Sequence, residues 1–222
     1  MTDEIRSRHE IFDELTERYP VLCSCSHEIL KAYELIKESY LNDGVLYIAG
    51  NGGSAADSEH ISGELMKSFM FKRRVPAAVG AELSALYGSE GEELAGLLEG
   101  GLGAVPLPAL MSLSTATMND VDSQAVFAQM VCSAVQPKDV FLGISTSGNS
   151  KNIIYAMMTA KAKGATVIGL TGAKECRMDS ICDAVIHAPE TETFKIQELH
   201  LPIYHALCAM LEASFFGGKG VQ

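Results

Sequence analysis

Two segments of the sequence repeat one pattern, in which a short apolar run is followed by a turn of small residues and then by a helix-forming segment. In the first, the apolar run 45–49 precedes the glycine-rich turn 50–53, and in the second the run 139–144 precedes the serine-rich turn 145–149. Apolar runs of this length are typical of strands that are buried on both faces of a parallel sheet. Because ligands bind beyond the carboxyl ends of such strands, the sequence predicts an α/β fold whose site includes both turns.

The rest of the chain continues this alternation of strands and helices. Further strands are predicted over residues 107–113, 166–172 and 184–187, a polar corner at 118–120, and helices over 3–18, 22–42, 54–70, 150–163 and 194–216. Residues 72–106 interrupt the alternation with many glycines around a short acidic helix near 92–98, and we interpret them as an insertion. A chain of 222 residues has room for one domain over 1–222, with N-terminal helices over 1–43 and this single insertion.

The net charge of the chain excludes several classes of partner. Lys and Arg total 17 against 28 Asp and Glu, which leaves a net charge of −11 that repels nucleic acids and anionic membranes. The beginning of the chain lacks the apolar segment of a secretion signal, and no apolar run approaches the roughly 18 residues of a membrane span. We therefore expect a cytoplasmic protein with no nucleic-acid partner and no membrane partner.

The turn after the second apolar run carries four hydroxyl groups at the start of a predicted helix. They belong to Ser145, Thr146, Ser147 and Ser150. The amino end of a helix carries about half a positive charge and unpaired N–H groups, so such a turn can bind a phosphate without any Lys or Arg. One hydroxyl would suffice for an ordinary helix cap, and four therefore favour phosphate binding. The glycine turn is less specific by itself, since it lacks both the dinucleotide-binding fingerprint and the lysine of a P-loop.

Two groups of polar residues on predicted helices have the chemistry of metal ligands. His60 and Glu64 are four residues apart, so their side chains leave one helix face about 6 Å apart along the axis. A metal ion can bridge that distance, but an ordinary surface pair has the same spacing. The last predicted helix carries Gln197, Glu198, His200 and His205. Gln197 and His205 would lie roughly 12 Å apart on a straight helix, near the limit for sharing one ion, and Pro202 between them is expected to kink it.

Three motifs of the chain resemble those of a known family. The segments GNGGSAADSEHISGEL, LGISTSGNSKNI and KIQELHLPIYHALC resemble, in this order, the sugar isomerase (SIS) domain, and more narrowly its sedoheptulose 7-phosphate isomerases, also called phosphoheptose isomerases. The resemblance extends over about residues 25–72 and 107–215. It implies a three-layer α/β/α sandwich with a central parallel sheet, a cytoplasmic homotetramer and a zinc-dependent aldose–ketose isomerase. The implied reaction converts sedoheptulose 7-phosphate to D-glycero-D-manno-heptose 7-phosphate, which leads to nucleotide-activated heptose for lipopolysaccharide or related surface glycans.

The resemblance also implies which residues form the site. The metal ligands would be His60, Glu64, Gln197 and His205. The substrate-binding residues would be Asn51, Gly52, Gly53, Glu64, Asn119, Asp120, Ser145, Thr146, Ser147, Ser150 and Gln197, with Ser54 adjacent. Moving a proton between C1 and C2 of a sugar through an enediol needs a base and an acid, and we assign Glu64 as the base and His205 as the acid. A zinc ion beside O1 and O2 would stabilise the developing oxyanion as a Lewis acid.

Other functions stay open for a chain with these motifs. One is an isomerase of a shorter phosphosugar, because the serine turn would recognise the phosphate rather than the number of carbons. Another is a non-catalytic SIS-domain scaffold or regulator that binds a phosphosugar or a replication initiator. Such scaffolds lack the His and Glu of the first long helix and the final His, all of which this chain has. The insertion 72–106 is either a lid or subunit contact near the sugar, or a surface excursion of the kind that loops permit at low cost.

Overall fold

A computed structural model describes residues 6–217 of the chain, and its centre is a five-stranded sheet. The strands are β1 (Leu46–Ala49), β2 (Ala104–Pro106), β3 (Val140–Ile144), β4 (Thr166–Gly172) and β5 (Ala184–Ala188). Their order across the sheet is β2-β1-β3-β4-β5, and every neighbouring pair is parallel. The predicted parallel sheet is therefore confirmed, and both turns follow strands that are neighbours in it.

Eight α-helices accompany the sheet within residues 6–217. They are α1 (Arg8–Arg18), α2 (Ser26–Leu41), α3 (Gly53–Met66), α4 (Ala77–Leu97), α5 (Met111–Asp120), α6 (Val126–Ala134), α7 (Lys151–Ala162) and α8 (Thr193–Phe216). The predicted start of the first helix, at residues 3–5, lies outside the described residues. None of the helices in the described part of the chain is both long and apolar enough to cross a membrane.

Apolar clusters on the two faces of the sheet make the three layers. Leu142 in the central strand β3 packs in a cluster with Tyr33 of α2 and Ile203 of α8, and this cluster also holds side chains of α1 and α3. The preceding Phe141 points to the other face, where it packs with residues of α6 and α7 such as Met157. Neighbouring side chains of a strand alternate between faces, and both faces of this strand are covered. The predicted three-layer α/β/α sandwich is confirmed.

The prediction of a strand over residues 107–113 is wrong. Leu107–Ala109 forms a single 3-10 turn, and α5 begins at Met111, while the strand of this region is the earlier and shorter β2. Strand β2 lies at the edge of the sheet and ends in Pro106. Proline limits pairing because it has no N–H to donate. The polar corner predicted at 118–120 is likewise the last turn of a helix.

The insertion also differs from its prediction as a short helix among glycines. Residues 77–97 form two helical halves that meet at Gly88, whose φ of 59° is favourable only for glycine. The halves fold back on each other so closely that a Cβ on Gly91 would lie 1.9 Å from the carbonyl oxygen of Leu83. Glycine has a low helix propensity, which favours a loop here. In the structure, these glycines instead allow two helices to pack closely, and this packing overrides the propensity. We call this element the insertion hairpin.

We expect the insertion hairpin to be dispensable for the fold. Its only buried residue is Gly91, and a Cβ on Gly100 would lie 2.8 Å from the carbonyl oxygen of Arg74, so the two ends of the excursion are adjacent. Replacing residues 77–97 with a Gly-Ser-Gly linker should change the melting temperature by no more than about 3 °C, since surface elements contribute little to stability.

The same variant separates the two interpretations of the insertion. Circular dichroism melting would measure its stability, and light scattering would measure the mass of the assembly. An unchanged mass with unchanged KM and kcat agrees with a surface excursion, a smaller assembly would assign the hairpin to a contact between subunits, and altered KM or kcat at unchanged mass would assign it to a lid. A loss of many degrees without a change of mass would contradict the prediction.

Candidate functional site

Three predicted metal ligands meet between α3 and α8. His60 and Glu64 lie one turn apart on α3, and His205 lies on α8. The Nε2 atom of His60 is 3.0 Å from Oε1 of Glu64 and 3.4 Å from Nε2 of His205. One ligand atom of each side chain lies within 4.8 Å of the other two. We call these three residues the His-Glu cluster. Glu64 and His205 are half-buried, and His60 is exposed.

Tyr204 and Asp57 form a hydrogen-bonded pair next to the cluster. This pair determines which ring nitrogen of His60 carries the proton and which carries the lone pair. The hydroxyl of Tyr204 donates to Oδ1 of Asp57 at 3.3 Å and lies 3.0 Å from Nδ1 of His60. Burial raises the pKa of Tyr204, so this hydroxyl keeps its single proton. Because the hydroxyl of Tyr204 uses this proton to donate a hydrogen bond to Asp57, its oxygen accepts a hydrogen bond from His60 Nδ1–H. The lone pair of His60 is then on Nε2, which faces Glu64 and His205.

The His-Glu cluster has the composition of a site for a cation. A lone pair on His60 Nε2 at 3.0 Å from the Glu64 carboxylate is unfavourable unless a proton or a cation lies between them. Burial lowers the pKa of His205, and the nearby His60 lowers it further, although Glu64 acts in the opposite direction. A neutral imidazole is the form that binds a metal. Two imidazoles and a carboxylate are a donor set that suits zinc.

Gln197 lies at the other end of the contact between α3 and α8. A Cβ added to Gly53 would lie 2.4 Å from Nε2 of Gln197, so the carboxamide occupies the space beside the first residue of α3. His60 comes seven residues later, which is about 10 Å along the helix. Pro202 does not end α8, which runs through it from Thr193 to Phe216. Three of the four predicted ligands are together in the structure, and Gln197 lies beside the glycine turn.

The hydroxyl groups of the serine turn bond to one another. Oγ of Ser145 lies 2.9 Å from Oγ of Ser150 and 3.4 Å from Oγ of Ser147. Ser150 is the residue before α7, yet its side chain makes no capping hydrogen bond with the helix. Gly148 has a φ of 63°, which lets the turn bend back toward its own start. In the first turn of α7, the N–H of Ile153 donates to Oδ1 of Asn152 at 3.0 Å. Ser150 leaves the other N–H groups at this helix end uncapped, which is the arrangement of an anion site.

A pair of asparagines joins the two turns. The amide of Asn51, in the glycine turn, donates to Oδ1 of Asn152 at 3.0 Å, and the amide of Asn152 donates back to Oδ1 of Asn51 at 2.9 Å. Gly52 and Gly53 are exposed beside this pair, and Ser54 is buried beneath it. The two turns are thus neighbours at the carboxyl edge of the sheet, as the repeated pattern predicts.

The structure adds a cation that the sequence analysis overlooked. A cavity of about 230 Å³ is lined by Thr146 and Ser147 of the serine turn and by Lys174, which follows β4. Glu175, Glu190 and Thr193 line it as well. The sequence predicts a phosphate site without Lys or Arg, whereas this cavity has Lys174 in its lining together with two carboxylates. The position of Lys174 just after the next strand in the sheet was the signal that could have identified it.

Asn119 and Asp120 lie apart from both groups in the bonding pattern. They occupy the exposed last turn of α5, where the amide of Asn119 donates to Oδ1 of Asp120 at 2.8 Å. Among the hydrogen bonds of residues 6–217, none joins either side chain to the serine turn or to the His-Glu cluster. Their predicted contact with a substrate stays a prediction.

One member of the His-Glu cluster, His205, borders a second cavity. It has a volume of about 310 Å³, and His205 lines it together with Phe69, Leu201, Arg18 of α1 and the following Tyr19. This cavity and the one at the serine turn both border α8, near His205 and near Thr193 respectively. The helix therefore runs from the candidate anion site to the candidate metal site.

Comparisons with known proteins agree in one family. The SIS domain family matches residues 21–99 and 92–172. The chain is 36% identical to "Phosphoheptose isomerase" of Aneurinibacillus thermoaerophilus over 88% of this chain and 87% of that one. It is 37% identical to "Phosphoheptose isomerase 2" of Campylobacter jejuni over 87% of this chain and 80% of that one. A solved structure of phosphoheptose isomerase from Neisseria gonorrhoeae is similar with a TM-score of 0.66 and 29% identity, over 93% of both chains.

A buried histidine near the site should make stability depend on pH. His200 is 0% exposed, and its Nε2–H donates to the carbonyl oxygen of Thr171 at 3.3 Å, while Nδ1 has no partner in the described residues. Burial lowers the pKa of His200 to about 4. The neutral form is favoured in the folded state, so its contribution is complete above the unfolded pKa of about 6.5 and is lost as the pH falls toward 4.

The variant His200→Leu should therefore lose less stability in acid than the unsubstituted chain. Between pH 7 and pH 4.5, the decrease in the free energy of unfolding should be smaller by about 2 kcal/mol in the variant. Urea unfolding at both pH values measures this difference. Equal decreases in the two proteins would show that His200 is not the group that titrates.

Proposed function

The chain belongs to the SIS-domain family and, within it, to the phosphoheptose isomerases, and from this we propose that it converts sedoheptulose 7-phosphate to D-glycero-D-manno-heptose 7-phosphate. The observation that carries the proposal is the meeting of His60, Glu64 and His205 beside α8, whose amino end borders the serine turn. One group can act on the carbonyl end of a sugar, and the other can hold its phosphate.

The phosphate is held by groups that suit a dianion in an acidic protein. The hydroxyls of Ser145, Thr146, Ser147 and Ser150 donate to its oxygens, together with N–H groups at the amino end of α7. Lys174 supplies a positive charge at the rim of the same cavity. Binding energy from the phosphate orients the reacting end of the sugar, which lowers the entropic part of the barrier.

Glu64 and His205 carry out the proton transfers. The Glu64 carboxylate removes the proton from the carbon beside the carbonyl, which gives an enediol, and returns it to the neighbouring carbon. His205 moves a proton between the two oxygens of the enediol. Tyr204 and Asp57 hold the ring of His60 in the orientation that directs Nε2 at Glu64.

The residues of the His-Glu cluster fit a zinc ion. His60, Glu64 and His205 would hold it, with Gln197 as the fourth ligand that the family resemblance implies. When bound, zinc polarises the two sugar oxygens as a Lewis acid. The carboxamide of Gln197 lies beside Gly53 in this structure.

Three further properties belong to the proposal. The protein acts in the cytoplasm, as a homotetramer, and supplies heptose for lipopolysaccharide or a related surface glycan. The names of the relatives support the sugar but do not mention the assembly or the compartment.

A panel of ketose phosphates tests the reaction. The purified protein is incubated with five-, six- and seven-carbon 2-ketose phosphates, and aldose formation is followed by NMR. We expect conversion of the seven-carbon substrate, about one zinc ion per subunit, and loss of activity on chelation. Faster conversion of a shorter sugar would reassign the substrate, and no conversion of any sugar would favour a scaffold or regulator. Full activity of metal-free protein would remove zinc from the proposal.

The variant Glu64→Gln tests the base. It keeps the size of the side chain but removes the carboxylate, so kcat should fall by at least about 1,000-fold, while the Kd for the sugar phosphate changes by less than about threefold. Stopped assays and calorimetric titration measure the two quantities. Glu59→Gln is the matched control, because Glu59 is exposed on the same helix and loses the same charge. An active Glu64→Gln protein would contradict the assignment.

A further inference from the structure

We propose that the buried ion pair between Arg73 and Glu212 is a positioning element that holds Glu64 and His205 in register across the site. The inference rests on the proposed function, in which these two residues are the base and the acid. Neither Arg73 nor Glu212 carries a role in the reaction itself. Arg73 lies seven residues after the end of α3, and Glu212 lies within α8.

The ion pair is completely removed from solvent. The side chains of Arg73 and Glu212 are both 0% exposed, and Nε of Arg73 donates to Oε1 of Glu212 at 2.8 Å. The guanidinium also lies over the ring of Phe216, 4.7 Å from its centre. A charged pair in such surroundings persists only when its remaining donors and acceptors are satisfied by hydrogen bonds.

Arg73 holds the turn of α3 that carries Glu64. Its Nη2 donates to the carbonyl oxygen of Glu64 at 2.9 Å, and its Nη1 donates to that of Leu65 at 2.6 Å. α3 ends at Met66, and the last four carbonyl groups of a helix have no partner within the helix. The guanidinium therefore supplies the missing donors for the backbone of Glu64. It sets the height and rotation from which that carboxylate leaves the helix.

Glu212 reaches the His205 side of the site. Its two carboxylate oxygens accept the backbone N–H groups of Phe69 and Met70, at 2.8 and 2.7 Å. The ring of Phe69 lies against the imidazole of His205, with 5.4 Å between the ring centres. Glu212 is also on the same helix as His205, seven residues later. One ion pair thus connects the backbone of the base to the side chain that packs on the acid.

General stability does not account for a charged pair at this position. Replacing a buried ion pair by apolar residues of similar volume is often neutral or stabilising, because the cost of removing two charges from water is avoided. Apolar residues cannot, however, donate to the carbonyl groups of Glu64 and Leu65 or accept from Phe69. The pair therefore differs from an apolar replacement in the geometry that it imposes on the site.

The double variant Arg73→Met with Glu212→Leu tests this inference. Both replacements are apolar and leave no unpaired charge, so we expect a folded protein with an unchanged assembly. The affinity for Co²⁺, a visible probe of the His-Glu cluster, should fall by about 10-fold or more. The kcat should fall by a similar factor, while the KM for the sugar phosphate, which is bound at the serine turn, stays within about threefold.

Two further variants separate positioning from general loss of stability. Arg73→Lys keeps the charge and remains folded if the double variant does not, but one ammonium group cannot serve three acceptors in the geometry of a guanidinium. It should show the same losses to a smaller extent. Asp139→Asn is the control, because Asp139 is also a buried carboxylate that accepts two backbone N–H groups, from Val45 at 2.9 Å and Gln136 at 2.7 Å. Those groups lie at the amino ends of the strands, away from the cluster.

The outcomes distinguish the inference from the proposed function. If the wild-type protein turns over its substrate, and both Arg73→Lys and the double variant keep its kcat and its Co²⁺ affinity, the inference alone is overturned. Equal losses in Asp139→Asn would also overturn it, because they would show an effect of stability. Absence of turnover in the wild-type protein would overturn the proposed function, and the Co²⁺ spectrum and affinity would still decide whether the ion pair positions the cluster.

Discussion

The parallel pairing of β1 with β3 is the interaction on which the site depends. Leu46 lies opposite Val140, and the register continues to Ala49 opposite Gly143. Both strands therefore end at the same level, and the turns that follow them meet edge to edge through Asn51 and Asn152. A register shifted by one residue would reverse the face of every side chain in β1 and separate the turns. The helices that start at these turns inherit their positions from this pairing.

The site solves an electrostatic problem that the composition poses. A protein with a net charge of −11 repels anions through its overall field, so the proposed function requires local groups that hold the phosphate. In that proposal, the amino end of α7, the hydroxyls around Ser145 and Lys174 supply them beside the amino end of α8. Near the middle of α8, His205 and the two α3 residues His60 and Glu64 offer lone pairs to a cation. The candidate anion and cation sites are thus separated along one helix.

The segment that leads from α3 to the insertion hairpin is held by hydrogen bonds to its surroundings. Arg73 precedes the hairpin by a few residues and bonds to the end of α3, while Glu99 after the hairpin accepts the backbone N–H of Ser68 at 3.0 Å. Segment 67–76 is therefore bonded to the end of α3 and to Glu99, immediately before the hairpin begins.

The sequence alone determined the strand, turn and helix units, since continuous apolar runs and small-residue turns are local features. It also determined the spacing of His60 and Glu64, because one turn of a helix is local geometry. Propensity failed where packing decided the outcome: Gly91 serves a close contact between helices, and the run after Pro106 is helical rather than extended. Only the tertiary structure brought His205 to Glu64, Lys174 to the serine turn and Arg73 to Glu212. Each of these pairs is far apart in sequence or in different elements, and such proximity follows from how the layers pack rather than from any local pattern.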